Sequence, residues 1–293
     1  MLSAEHRRAW ARAPIRTTSR IVASLIRKRH ERWRYAVAPY DEGRSRIVCD
    51  LRTALGLTLF RFGVDDVDRD LVCKLLGPGD LFIDGGANVG LFTLAAASRV
   101  GATGAVVAFE PAKETRKRLE ENLELNRFSW VEVRSEALAE TAGTRTLTAF
   151  DGDSAGLSSF RPSSNGGGRQ EQVETTTIDE VLVGRIPQVV KLDLEGAELA
   201  ALQGAGSLIS LKRTVFVLEL EDSHLRRQRA SASQVLELFE QNGYQMFKAV
   251  RAGDGRVAVL RGVGEPLGGR TPNVIAAAGE GPFKRAGVTV VQG

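Results

Sequence analysis

The sequence predicts an α/β fold built on a doubly wound, mostly parallel sheet. From about Leu81 onward, apolar strand-like runs alternate with helical stretches of roughly 10–15 residues, the pattern of βαβ units. A glycine-rich turn, Asp84-Gly85-Gly86-Ala87-Asn88-Val89-Gly90, stands between the first such strand and the first such helix. Acidic residues recur at the ends of successive strands, at Asp84, Glu110, Glu136, Asp193 and Glu219.

Taken in order, residues 1–45 read as a basic, partly helical arm whose Ile15, Ile21, Val22, Leu25 and Ile26 give only a short apolar face. Residues 46–293 are expected to form the main domain. Leu55–Phe62 is a short apolar run, and a helix is expected to end at Leu75-Leu76, before the turn Gly77-Pro78-Gly79-Asp80. Strands are predicted at 81–84, 106–110, 130–134, 189–194, 214–220, 244–250 and 273–277. Helices are predicted at 91–98, 113–125, 197–210 and 231–242, the last closed by Gly243 in the left-handed conformation. Between Asp151 and Gln172 the chain turns to Gly, Ser and Asn, which reads as a flexible loop and a lid over the acceptor. Ala252–Arg270 is also glycine-rich and reads as a connector.

Composition narrows the function classes. Apolar residues are 43% and charged residues 26% of 293, the balance of a chain that buries a real core. No apolar run reaches the roughly 18 residues that a membrane span needs, and no apolar stretch behind Met1–Arg8 suggests a secretory signal. Cys49 and Cys73 cannot make a disulfide framework or a metal knuckle, so a reducing, cytoplasmic location is expected. Residues 1–34 hold ten Lys/Arg against Glu5 and Glu31. The rest of the chain carries 30 basic and 34 acidic residues, so its net charge is mildly negative. A basic head can touch nucleic acid or anionic lipid, or simply be a solvated arm.

The glycine turn is the first candidate site, because its backbone can approach a ligand and the next helix offers free N–H groups. The competing reading is a tight turn with no ligand. A dinucleotide fingerprint fails at Ala87, where the middle glycine should stand. The turn opens instead with Asp84, which repels a diphosphate and attracts an ammonium or sulfonium. S-adenosylmethionine carries both of those and no phosphate. Glu110 can accept two ribose hydroxyls, and Glu136 with Ala137 can meet the adenine amino group and ring. Any one of these acids can equally be a helix cap or a solvated group.

The motifs together resemble the FkbM family of S-adenosylmethionine-dependent methyltransferases. The resemblance rests on Gly79-Asp80, the Asp84–Gly90 turn, Phe109-Glu110-Pro111, Thr177-Ile178-Asp179 and Lys191-Leu192-Asp193-Leu194-Glu195-Gly196-Ala197-Glu198. It covers roughly residues 56–250 and departs only at Gly85-Gly86, where the family usually has an apolar residue first. It implies a class I methyltransferase domain with a Rossmann-like seven-stranded sheet of order 3-2-1-4-5-7-6, the last strand antiparallel. It also implies O-methylation of a hydroxyl on a sugar or other metabolite. Carried over, Asp84, Gly86, Ala87, Asn88 and Gly90 shape the methionine part of the cofactor site, Glu110 and Pro111 the ribose part, and Asp193 and Glu195 the active site.

Residue chemistry points the same way. After the fourth strand the chain reads Asp193-Leu194-Glu195-Gly196, without the proline and aromatic residue common in amine methylation. A hydroxyl needs a proton acceptor, and Asp193 or Glu195 can serve directly or through a divalent ion such as Mg2+. The stretch Glu219-Leu220-Glu221-Asp222 lacks the Asp-Asn pair of catechol-type metal sites, so the metal stays open. His224 is a further candidate base or a surface histidine, and Lys191 is expected to brace an acid within the sheet. The alternatives are a non-catalytic scaffold and an RNA-directed enzyme, each acting through the basic arm. Nucleic acid is disfavoured by the acidic body and by having only Trp10 and Trp33 to stack bases there. The identity of the small-molecule or glycan acceptor and the oligomeric state are not written in these patterns.

Overall fold

The computed structural model describes residues 34–150, 168–262 and 273–292. Most of the basic arm and the tip of the Ser/Gly loop lie outside them. The chain divides into two compact units after Asp66, and the expected boundary at residue 45 falls within a hairpin of the first. In that unit β1 (Tyr35–Tyr40) pairs antiparallel with β2 (Ser45–Asp50), and α1 (Ala54–Phe62) follows, its first turn capped by Thr53, which accepts the Gly56 N–H at 3.0 Å.

The second unit holds the doubly wound sheet. Its strands are β3 (Leu81–Gly85), β4 (Ala105–Phe109), β5 (Val131–Arg134), β9 (Val189–Leu192), β10 (Val215–Leu218), β11 (Gln245–Arg251), β12 (Val257–Arg261), β13 (Val274–Ala277) and β14 (Thr289–Val291). The order is β14-β12-β11-β13-β10-β9-β3-β4-β5. Nine strands thus replace the expected seven. Within them β5-β4-β3-β9-β10-β13-β11 follows the order 3-2-1-4-5-7-6, with β13 antiparallel to both neighbours. The additions are β12, inside the stretch expected to be a connector, and β14, which pairs parallel with it.

Both sheet faces are covered, as alternation along each strand requires. Phe82, Val106, Val189 and Val217 face α2 (Val67–Leu75), α3 (Leu91–Val100) and α10 (Gly281–Arg285) through Leu71, Ala97 and Phe283. Their strand neighbours Ile83, Val107, Val190 and Phe216 share the opposite core with Ile178 of α5 (Ile178–Leu182), Leu202 of α6 (Glu198–Gln203), Leu208 of α7 (Gly206–Ser210) and Phe239 of α9 (Ala232–Gln241). The predicted helix over 197–210 is broken between α6 and α7. A side chain on Gly204 would place its Cβ 2.2 Å from the Ala139 carbonyl oxygen, so the chain approaches too closely there for any other residue. A small separate sheet, β6 (Ala137–Leu138), β7 (Gly143–Ala149) and β8 (Arg169–Thr176), carries the Ser/Gly loop between its last two strands.

Candidate active site

The carboxyl ends of β4, β3, β9 and β10 lie side by side, and the glycine turn leaves β3 in their midst. Gly86 (φ 73°), Asn88 (φ 50°) and Gly90 (φ 99°) turn the chain into α3. A Cβ on Gly86 would sit 1.9 Å from the Asp193 carbonyl oxygen. That glycine is therefore demanded by the chain's own packing, whatever binds beside it.

Glu110, buried after β4, holds the turn in place. Its two carboxylate oxygens accept the backbone N–H groups of Asn88 and Ala112, each at 2.9 Å. Each oxygen retains a second lone pair. Burial lifts the carboxyl to about 7 even though those two bonds, Lys191 and Arg116 pull it down. Arg116 of α4 (Lys113–Asn126) fixes the next step of the chain by donating to the carbonyls of Glu110 and Pro111, both at 2.9 Å.

Lys191 is the electrostatic centre. The sheet register sets it beside Asp84 on the adjacent strand, and strand alternation sets it on the same face as Asp193. Its Nζ lies 3.3 Å from Asp84 and 3.4 Å from Asp193, donates to the carbonyl oxygen of Gly86 at 2.9 Å, and rests over the Phe92 ring at 5.2 Å. Burial alone would lower this lysine, but the two aspartates outweigh it and raise it above its ordinary value. Asp84 is fully enclosed and also accepts a 2.6 Å hydrogen bond from Thr93.

Beyond β9 the acids crowd together. One oxygen each from Asp193, Glu195 and Glu219 lies within 4.8 Å of the other two. Asp193 would be raised by burial, but Lys191 and a hydrogen bond from Glu219 hold it below the usual carboxylate range. The same hydrogen bond, with burial and the charge of Asp193, pushes Glu219 up to about 9. Glu195 is pushed up to about 8 by burial and by Asp193 and Glu198. Glu198 is buried and accepts the N–H groups of Leu194 (2.7 Å) and Gly196 (3.2 Å), fixing the loop that carries Glu195. Glu195 itself adopts φ 54°, rare for a side chain of this kind, and its Oε2 lies 2.8 Å from Nδ1 of His224 in α8 (Asp222–Arg227).

The sequence-predicted residues do not all converge. Asp84, Asp193 and Glu195 share one cluster through Lys191, and Gly86, Asn88 and Glu110 form its β3–β4 side. Glu136 is bound to Arg134, which outweighs burial and holds it below its ordinary value. Ala137 lies buried with Ala112, Leu147, Ala149 and Val173, one residue pair away from Glu110 through the Ala112 N–H. Sequence reasoning missed Thr93 and Phe92. Their position in the first turn after the glycine loop was the available signal, but nothing local says that Phe92 meets Lys191 or that Thr93 meets Asp84.

An open, doubly wound α/β sheet with a glycine turn after its first central strand and acids at the neighbouring strand ends defines a Rossmann-like, class I type of domain. Residues 84–246 match the Methyltransferase FkbM domain, more than half of the chain, and the chain belongs to that family. A curated relative, the AMB antimetabolite synthetase AmbE of Pseudomonas aeruginosa, is 28% identical over 225 residues. That match covers 62% of this chain and 10% of AmbE, so the chain spans about a tenth of the relative's length. Among solved structures, a methyltransferase FkbM from Methylobacillus flagellatus is 15% identical, with 77% of this chain and 56% of that one covered and a TM-score of 0.42. An O-methyltransferase from Thermotoga maritima is 15% identical, with 73% and 65% covered and a TM-score of 0.38. An rRNA methylase from Streptococcus thermophilus is 11% identical, with 72% and 92% covered and a TM-score of 0.40. Likenesses at these scores decide nothing about substrate. No helix among the described residues is long and apolar enough to cross a membrane.

Proposed function

We propose that this methyltransferase uses S-adenosylmethionine to methylate a hydroxyl of a sugar or other small metabolite. The observation that carries the reading is the ring of carboxylates around one buried lysine at adjoining strand ends, a lysine already engaged by Asp84, Asp193 and the Gly86 carbonyl. A cationic, ribose-bearing ligand suits this ring, and a dinucleotide does not.

The residues present fit that cofactor. The free lone pairs of Glu110 can accept the two ribose hydroxyls, which would offset the cost of burying its charge. Asp84 is too enclosed to meet a ligand, so its part is to hold Lys191 and thereby the Gly86 carbonyl. The backbone from Gly86 through Asn88 to Gly90 forms the floor of the methionine site, and Pro111, Glu136 and Ala137 flank the nucleoside end. When bound, S-adenosylmethionine supplies a methyl group on a sulfonium, already equipped with a good leaving group. What the chain must add is alignment and an acceptor for the hydroxyl proton.

Asp193 and Glu195 stand on the acceptor side. Asp193, held ionised by Lys191, is a strong hydrogen-bond acceptor but a weak base, so its role in this reading is to orient the hydroxyl rather than to take its proton. This takes from Asp193 the proton-accepting role that the sequence offered to Asp193 or Glu195. The oxygen donors of Asp193, Glu195 and Glu219 are of the hard type that Mg2+ prefers, but the reading runs no step through an ion. A reducing cytoplasmic setting belongs to the same proposal, and Cys49 and Cys73 are buried and joined by no disulfide.

Calorimetry tests the cofactor assignment. S-adenosylhomocysteine should bind and NAD should not, and Glu110→Ala should weaken binding by about 1.5–3 kcal/mol for each desolvated ribose bond lost. Binding of NAD with no response to S-adenosylhomocysteine would overturn it. Removing residues 1–33, which leaves the β1–β2 hairpin whole, separates this reading from one that works through the basic arm. The truncated protein should bind S-adenosylhomocysteine as the full chain does.

A further inference from the structure

We infer that Glu195 and His224 form a carboxylate–imidazole pair in which Nε2 of His224 takes the proton of the acceptor hydroxyl. The inference rests on the methyltransferase reading and assigns a residue within the same site. A separation of 2.8 Å between Nδ1 and Oε2 is too short for two bare acceptors, so a proton lies between them. Above about pH 8, where Glu195 is ionised, that proton sits on Nδ1 and the lone pair of the imidazole is on Nε2. Nε2 makes no hydrogen bond among the described residues, and both side chains are partly open to solvent, 20% for His224 and 16% for Glu195.

Several costly features serve this one contact. Glu195 is held at φ 54° although it is neither glycine nor asparagine. Gly196 follows at φ 104°, and a Cβ there would lie 2.3 Å from the His224 carbonyl oxygen, so only glycine lets α8 dock close enough. Glu198 spends a buried carboxylate on the N–H groups of Leu194 and Gly196, locking the loop on both sides of Glu195. A solvated surface histidine would need none of these.

The step balances without a further reactant. The acceptor oxygen bonds to the methyl carbon, the carbon–sulfur bond breaks, and its electron pair stays on sulfur. The hydroxyl proton passes to Nε2, and the imidazolium so formed is stabilised by the Glu195 carboxylate. The groups facing the pair are Asp193, Glu198, Glu219, Lys191 and Arg227 around Glu195, and Arg227, Glu221 and Asp193 around His224. Burial and Arg227 lower His224, which keeps its imidazole neutral and able to accept.

The test is nitrogen NMR of the full chain labelled at histidine, with S-adenosylhomocysteine bound, above pH 8. The His224 signals are identified by their loss in His224→Gln. The expected result is a protonated, pyrrole-like Nδ1 and an unprotonated, pyridine-like Nε2. In Glu195→Asn, whose shorter side chain tolerates the positive φ but cannot reach Nδ1, the tautomer should revert to a protonated Nε2. A protonated Nε2 in the wild type, or signals unmoved by Glu195→Asn, would overturn the pair. S-adenosylhomocysteine calorimetry on the same samples keeps the two failures apart. Absence of binding in the wild type removes the methyltransferase reading and the base role with it, whereas binding with the wrong tautomer removes the pair alone.

Discussion

Replacing Lys191 by Met should strongly destabilise the second unit. The lysine is 7% exposed and faces Asp84, whose side chain is 0% exposed, at 3.3 Å. Methionine fills much of the same volume but leaves Asp84 with only its Thr93 hydroxyl, and leaves the carbonyl of Gly86 without its 2.9 Å donor. Breaking a buried pair from one side costs about 3–5 kcal/mol. For a unit of this size that corresponds to a fall of roughly 6–20 °C in melting temperature. Asp193 adds less, since its side chain is 37% exposed. The sign with pH follows from the directions of the shifts. Raised Lys191 contributes stability that is fully present below the unfolded lysine value and lost as pH rises through its folded one. Lowered Asp193 contributes stability that is present above the unfolded carboxyl value and lost in acid. The gap between wild type and Lys191→Met should therefore be widest between about pH 5 and pH 10 and narrow in acid. Thermal melts followed by circular dichroism across that range measure it. Pairing Lys191→Met with Asp84→Asn should restore much of the loss, because the uncompensated charge is gone. A variant as stable as wild type at pH 7, or a double variant weaker than Lys191→Met alone, would refute the buried-pair argument.

Three further outcomes follow from the same geometry. Gly86→Ala should abolish S-adenosylhomocysteine binding or soluble expression, since its Cβ would lie 1.9 Å from the Asp193 carbonyl oxygen at φ 73°; retained binding in a titration would show that the β3–β9 contact yields. Affinity for S-adenosylhomocysteine should rise as pH rises through about 7, where Glu110 ionises and becomes the stronger acceptor for ribose hydroxyls; a flat profile in calorimetry would remove Glu110 from the ribose site. Glu110, Glu198, Glu195 and Glu219 all have raised folded values, so the native state binds more protons than the unfolded one. Stability without ligand should therefore fall as pH rises from about 4.5 through 9, and melting curves that climb over that interval would contradict the burial of these acids.

What the sequence by itself determined is the local and the repetitive. The short apolar runs at Leu81–Gly85 and Val215–Leu218 and the helical period of Lys113–Asn126 are written in consecutive residues, so those elements were legible. So was the order of the family motifs from Asp84 to Glu198. Strands β7 and β12 were not, because Gly143-Thr144-Arg145-Thr146 is polar and exposed, and the short apolar run of β12 lies within a glycine-rich stretch that reads as a connector. The site divides along the same line. That acids cluster at strand ends can be read from spacing. That Lys191 belongs to Asp84 and Asp193 depends on the β3–β9 register, which is a property of two segments more than a hundred residues apart. The glycines of the turn looked like room for a ligand, and tertiary packing made Gly86 room for the chain's own Asp193 carbonyl. His224 is 29 residues from Glu195, and only the docking of α8 against Gly196 turns a histidine that the sequence left between candidate base and surface residue into the neighbour of a strained carboxylate. Periodicity is set by bonds between neighbours. Pairing, burial and the protonation states that follow from them are set by which surfaces meet, and those meetings exist only in the folded chain.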